Sequence, residues 1–234
     1  MNLTLNEILA INREDLSSAL LVFIYLGLLI FTAETLSRKY QLESEITRKI
    51  VHIGAGQVIL MAWWLKIPTN LILVASGGAG LVAITSYLLP ILPSVNSVGR
   101  KSLGTLFYAL SIGILAWLFW QKSLPQFTVI GILIMTWGDA LAALIGQKWG
   151  KNKYVLLGNK KSWEGSFTMM LVSFVVVLVI LTLTQSWQND LIIVAILTAI
   201  IATFLESFSW LGIDNLTVPV ISAIFCYYLQ QILI

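Results

Sequence analysis

The chain is predicted to be an all-α, polytopic transmembrane bundle of about eight helices, with a polar cleft at its cytoplasmic face. Three observations carry that expectation. The 234 residues are 58% hydrophobic and 11% charged, and the mean hydropathy of +0.90 is far above that of a soluble domain. Apolar stretches long enough to cross a bilayer recur along the whole chain. The basic residues gather in alternate loops, as the positive-inside rule requires of a multi-pass protein.

The segments run roughly over 16–35, 50–66, 69–89, 103–121, 126–147, 167–186, 190–210 and 216–234, within one domain covering 1–234. Before the first lie Asn6, Glu7, Glu14 and Asp15 rather than a basic region, so a cleaved signal peptide is not expected. The second, the shortest, opens with Arg48-Lys49-x-Val51-His52, and the fourth with Arg100-Lys101-Ser102-Leu-Gly104-Thr105. Asp139 lies deep in the fifth. The sixth follows Lys160-Lys161-Ser162-Trp-Glu164-Gly165-Ser166. Glu206 sits near the end of the seventh, and Gly212-Ile-Asp214-Asn215-Leu-Thr217-Val-Pro219 leads into the eighth.

Loops after segments one, three and five hold Arg38, Lys39, Arg48, Lys49, Arg100, Lys101, Lys148, Lys151, Lys153, Lys160 and Lys161. Only Arg13, Lys66 and Lys122 lie at the opposite ends. The first set is therefore assigned to the cytoplasm. Trp63, Trp64, Trp117, Trp120 and Trp187 fall at the other interface, where aromatic belts form. Eight spans put both termini on the non-cytoplasmic side; seven would move the C-terminus across. In either case Asp139, Glu206, Asp214, His52 and the basic segment starts converge on one cytoplasmic boundary.

The single cysteine, Cys226, excludes a disulfide and a cysteine-based metal site, and the single histidine, His52, excludes a multi-histidine one. Ionisable groups inside apolar segments are costly and are functional candidates by default. Gly138, Ala142 and Gly146 repeat every four residues beside Asp139. Such a face serves either close helix packing, with Asp139 pairing a lysine, or the approach of phosphates with Asp139 on Mg²⁺. Gly146-x-x-x-Gly150-Lys151 is one residue short of a P-loop, and Asn152 replaces its Ser or Thr. Ser162 reads as a helix cap preceded by two lysines suited to a triphosphate, or as ordinary juxtamembrane basicity. Glu164 either complements the helix dipole or serves as a second metal ligand or base. Glu206 has nothing basic beside it in sequence, so it needs a partner or a metal. Asp214-Asn215 reads as a turn or as chemistry, and His52 as a structural or a catalytic histidine.

Taken together these blocks resemble the CTP-dependent polyprenol kinases, a family of phytol, farnesol and dolichol kinases. The resemblance runs through the Arg48-to-His52 and Arg100-to-Thr105 motifs, Gly138-Asp139-x-x-Ala142 and Gly146-x-x-x-Gly150-Lys151. It continues through Lys160-Lys161-Ser162-x-Glu164-Gly165 and Glu206 with Gly212-x-Asp214-Asn215-Leu216-x-Val218-Pro219. The Asp139-to-Gly165 block is also similar to that of phosphatidate cytidylyltransferases, whereas the Asp214-to-Pro219 ending and the short chain are similar to the phytol and farnesol branch.

The resemblance implies transfer of the γ-phosphate of CTP to a membrane-held prenyl alcohol, giving the monophosphate and CDP. Phytol is the favoured acceptor, with farnesol or geranylgeraniol behind it, in a salvage route towards tocopherol and phylloquinone. It places the protein in the plasma or thylakoid membrane of a photosynthetic bacterium, active face to the cytoplasm, with no nucleic-acid partner. Asp139 would hold Mg²⁺, with Glu164 or Asp214 as its second ligand. Arg100, Lys101, Ser102, Gly146, Gly150, Lys151, Lys160, Lys161, Ser162 and Gly165 would hold the nucleotide. Glu206, Asp214 and His52 are the candidates for the proton of the alcohol. The alternatives are a CTP-dependent enzyme making a CDP-lipid and, more distantly, a transporter, which the nearly charge-free non-cytoplasmic halves disfavour.

Overall fold

A computed structural model describes residues 13–40, 44–88, 103–156, 158–209 and 211–234. Its helices are α1 (Arg13–Tyr40), α2 (Ser44–Gly56), α3 (Val58–Trp64), α4 (Thr69–Leu88), α5 (Gly104–Leu118), α6 (Pro125–Leu133), α7 (Ala140–Trp149), α8 (Trp163–Thr184), α9 (Asp190–Ser207) and α10 (Asp214–Leu233). A π-helical turn, Ile134–Asp139, joins α6 to α7, and a two-stranded hairpin, β1 (Lys153–Leu156) and β2 (Asn159–Ser162), joins α7 to α8.

Six of these helical stretches are long and apolar enough to cross a membrane: Asp15–Leu36, Gly104–Lys122, Pro125–Trp149, Trp163–Thr184, Asp190–Ser207 and Asp214–Leu233. They match segments one and four to eight of the sequence. Segment three is carried by the shorter apolar stretch Thr69–Thr85. Segment two is broken at Gln57 into α2 and α3. Two glycines explain where it gives way. Gly54 lies where a Cβ would come within 2.6 Å of Leu29 Cδ2, and Gly56 is pressed against the Thr136 side chain. Glycine weakens a helix interior while permitting such close approach.

The helix α6 with its π-turn is the axis of the bundle. Phe127, Val129, Ile130, Ile132 and Ile134 are wholly buried, and 61% of the most apolar window of this span is inside the protein, against 6% for α1. Helices α5, α8 and α10 pack around it. Gly131 permits a close crossing, since a Cβ there would run into the Pro219 carbonyl and meet Leu115 Cδ1 at 3.0 Å and Ala223 Cβ at 3.1 Å. Pro125 starts the axis at a position where its missing N–H costs nothing. A π-turn in mid-helix is rare and is frequently found at functional sites; this one carries Thr136, Gly138 and Asp139.

The hairpin was not anticipated. The sequence reads Lys160-Lys161-Ser162 as the approach to a helix start, but both lysines lie on β2 and only Ser162 is the cap. Its turn needs Gly158, whose φ of 81° disfavours any side chain. Pairing of Lys153 with Ser162, Tyr154 with Lys161, Val155 with Lys160 and Leu156 with Asn159 sets the register.

Candidate active site

Several ionisable groups collect where the π-turn passes into α7, where α9 ends and where α10 begins, with the hairpin and the start of α8 alongside. Asp139, last residue of the π-turn, accepts a hydrogen bond at Oδ2 from Lys49 Nζ of α2 at 2.6 Å, with side chains 19% and 9% exposed. Lys161 reaches inward from β2 and donates to both the carboxylate and the backbone carbonyl of Glu206. Asn159, two residues earlier on the same strand, donates to the carbonyl of Ser209. The hairpin is thus pinned over the C-terminal end of α9, where free carbonyls favour a cation.

Asp214 opens α10 beside these pairs. It is buried, and its Oδ1 has no hydrogen-bond partner. Asp139, Glu206 and Lys161 all act electrostatically on it, and Lys49, Lys161 and His52 act on Asp139. Two ion pairs, Lys49–Asp139 and Lys161–Glu206, are thus coupled electrostatically to each other and to the buried carboxylate of Asp214. His52 joins them from α2. Its ring packs against Tyr108 at 5.2 Å between centroids, and the Tyr108 hydroxyl bonds Thr136 Oγ1 at 2.9 Å.

Glu164 is engaged differently. Its Oε1 accepts from Lys151 N, Asn152 N and Asn152 Nδ2, each at 3.1 Å, tying the chain after α7 to the first turn of α8. Its Oε2 is buried with no hydrogen-bond partner. Ser162 caps α8 by accepting from Gly165 N at 3.1 Å. The glycines serve this junction: a Cβ would lie 2.9 Å from Ser162 Oγ at Gly146, 2.6 Å from it at Gly150, and 2.9 Å from Ala142 O at Gly165. The small-residue face packs helix on helix as far as Gly138, which faces Met169. Lys151 and Lys160 are exposed beside it. Arg100, Lys101 and Ser102 lie outside the described residues.

The structure therefore brings Asp139, Glu206, Asp214, His52 and Lys161 together. It gathers Ser162, Glu164, Gly146, Gly150 and Gly165 into an adjoining brace. Sequence reasoning gave no site role to Lys49, Asn152 or Asn159. For Lys49 a signal existed, because it precedes His52 by three residues and so shares a helix face with it. Among the described residues no group of three or more histidine, cysteine, aspartate or glutamate side chains is arranged to hold a metal. Magnesium needs only one or two carboxylates when phosphates and waters complete its shell, and the buried, unpartnered Oδ1 of Asp214, coupled electrostatically to Asp139, suits that need.

Over 203 residues the chain is 54% identical to a phytol kinase of Synechocystis, which covers 87% of each protein. The chain belongs to the phytol kinase family. Plant members of the phytol kinase family are more distant. Phytol kinase 1, chloroplastic, of Arabidopsis thaliana is 27% identical over 85% of this chain and 71% of its own. A probable phytol kinase 2, chloroplastic, of Oryza sativa is 28% identical over 88% and 73%. No protein-family profile matches the chain, and no solved structure matches it. For a phytol kinase-family chain the arrangement suits phosphoryl transfer, which asks mainly for alignment and charge neutralisation.

Proposed function

We propose that this protein transfers the γ-phosphoryl group of CTP to the hydroxyl of a bilayer-held prenyl alcohol, phytol first, with Mg²⁺. The products are phytyl monophosphate and CDP. One observation carries the reading: the coupled charges of Asp139, Glu206 and Asp214 with Lys49 and Lys161 lie among apolar helices, next to a hairpin whose Lys160 is exposed. An isoprenoid chain stays among the helices while its hydroxyl meets a nucleotide arriving from the basic side. The family supports the acceptor, since its relatives are named for phytol.

The alcohol oxygen attacks the γ-phosphorus and the bond from that phosphorus to the β–γ bridging oxygen breaks, leaving CDP. The proton of the alcohol passes to Glu206. Asp139 and Asp214 would hold Mg²⁺, which when bound neutralises phosphate charge. Exposed lysines hold the phosphates, and water is excluded by the buried side of the charge cluster. The reaction belongs to phytol salvage towards tocopherol and phylloquinone, in a plasma or thylakoid membrane with the site on the cytoplasmic face.

The test uses purified protein in detergent with Mg²⁺, CTP and phytol, resolving nucleotide and lipid products by chromatography. CDP with phytyl monophosphate is the expected outcome, and Asp139→Asn should abolish it in a folded protein. Pyrophosphate with a CMP-bearing lipid when phosphatidate is supplied would replace the reading with a cytidylyltransferase. Equal turnover with ATP would remove CTP as the defining donor.

A further inference from the structure

Strand β2 sends two neighbouring lysines in opposite directions. Successive side chains of a strand point to opposite faces, so Lys161 shares a face with its partner Tyr154, and Lys160 with Val155. Tyr154 and Lys161 are half-buried, whereas Val155 and Lys160 are exposed. On the inner face, Lys161 Nζ directs two hydrogen bonds to one residue, the carboxylate and the carbonyl of Glu206. An ammonium group has three donors, so most of its capacity is already directed. Asn159, on the same face, holds the strand at Ser209. Lys161 also acts on Asp139 and Asp214, so it is the cation common to all three carboxylates.

We propose that the two lysines divide the work. Lys161 is a positioning residue that orients the Glu206 carboxylate and locks the hairpin over α9, while Lys160 is the one of the pair that binds nucleotide phosphate. The proposal rests on the phosphotransfer reading above and deepens it. A paired lysine buried against its carboxylate changes the reaction step when removed; an exposed one changes nucleotide affinity.

Three measurements separate the roles. The first is equilibrium binding of labelled CTP with no alcohol present. Lys160→Met should weaken it about tenfold and Lys161→Met by less than about twofold. The second is steady-state kinetics. Lys161→Met should lower kcat on the order of a hundredfold with the KM for CTP little changed, and Lys161→Arg should restore part of it. Combined with Glu206→Gln, Lys161→Met should cost little more than the worse single change, as coupled residues do. The third needs no substrate. In an Asn159→Cys/Ser209→Cys variant, oxidation should form a disulfide, and adding Lys161→Met should slow it several-fold.

Equal loss of CTP binding in both lysine variants, multiplicative losses in the Lys161 and Glu206 pair, or an unchanged cross-linking rate would each overturn the division. If the wild type binds CTP yet phosphorylates no alcohol, the phosphotransfer reading fails, and the binding and cross-linking comparisons still decide the roles of the lysines.

Discussion

Lys49 and Asp139 stand 90 positions apart in the chain yet meet at 2.6 Å. Neither could be left alone at that depth, because an unpaired buried charge costs several kcal/mol. Lys49→Met should therefore destabilise the protein by about 3 kcal/mol, read as a lowered midpoint of thermal unfolding in detergent. Lys49→Met with Asp139→Leu should recover most of that loss, and simple addition of the two effects would show that the pair does not matter. Glu206 teaches the same lesson from the sequence side. Its isolation in an apolar segment demanded a partner, but Lys161 lies 45 positions away. Need was legible at each carboxylate; the identity of the partner was not.

At the scale of the element, the junction of α7, hairpin and α8 depends on local rules and on close contact in unequal parts. Ser162 as a cap was readable from its type and place, and Ser162→Ala should cost about 1 kcal/mol, measurable as lowered thermal stability. Glu164 in the first turn was readable as a dipole partner, but its grip on the amides of Lys151 and Asn152 was not. Removing that grip with Glu164→Ala should speed hydrogen exchange at those two amides while leaving the middle of α8 protected; unchanged exchange would refute the brace. Gly146→Val should be worse than Ser162→Ala, because a branched side chain there must displace Ser162 itself, 2.9 Å from the first added carbon. The hairpin escaped the sequence reading since its strands are only four residues each, too short for alternation to stand out.

For the whole molecule, charge placement yields a topology that can be checked directly. Cys226 is wholly buried, so it should not react with a membrane-impermeant maleimide. Lys153→Cys should then label from the cytoplasmic side and Trp187→Cys, whose parent is 55% exposed at the other end of α8, only from the opposite side. Labelling of both from one side would reject the arrangement. Segment two shows where hydropathy falls short at this scale. It reads as one apolar run, yet Gly54, Gly56 and Gln57 break it so that α2 can bring Lys49 and His52 against the π-turn.

Composition and charge by themselves determined the all-α membrane class and the order of the segments, and they predict the face on which the ionisable groups gather. These are properties of single residues in a bilayer, where burial of each charge or apolar side chain is priced locally. Depth in apolar segments and local motifs marked Asp139, Glu206, Asp214, Ser162 and Glu164 as candidates. Only the tertiary structure decided that Lys49 serves Asp139 and Lys161 serves Glu206. It also decided that the glycines pack helix against helix, and that neighbouring lysines face opposite ways. Those outcomes depend on which helices cross and on strand pairing, contacts between distant positions that no local pattern encodes.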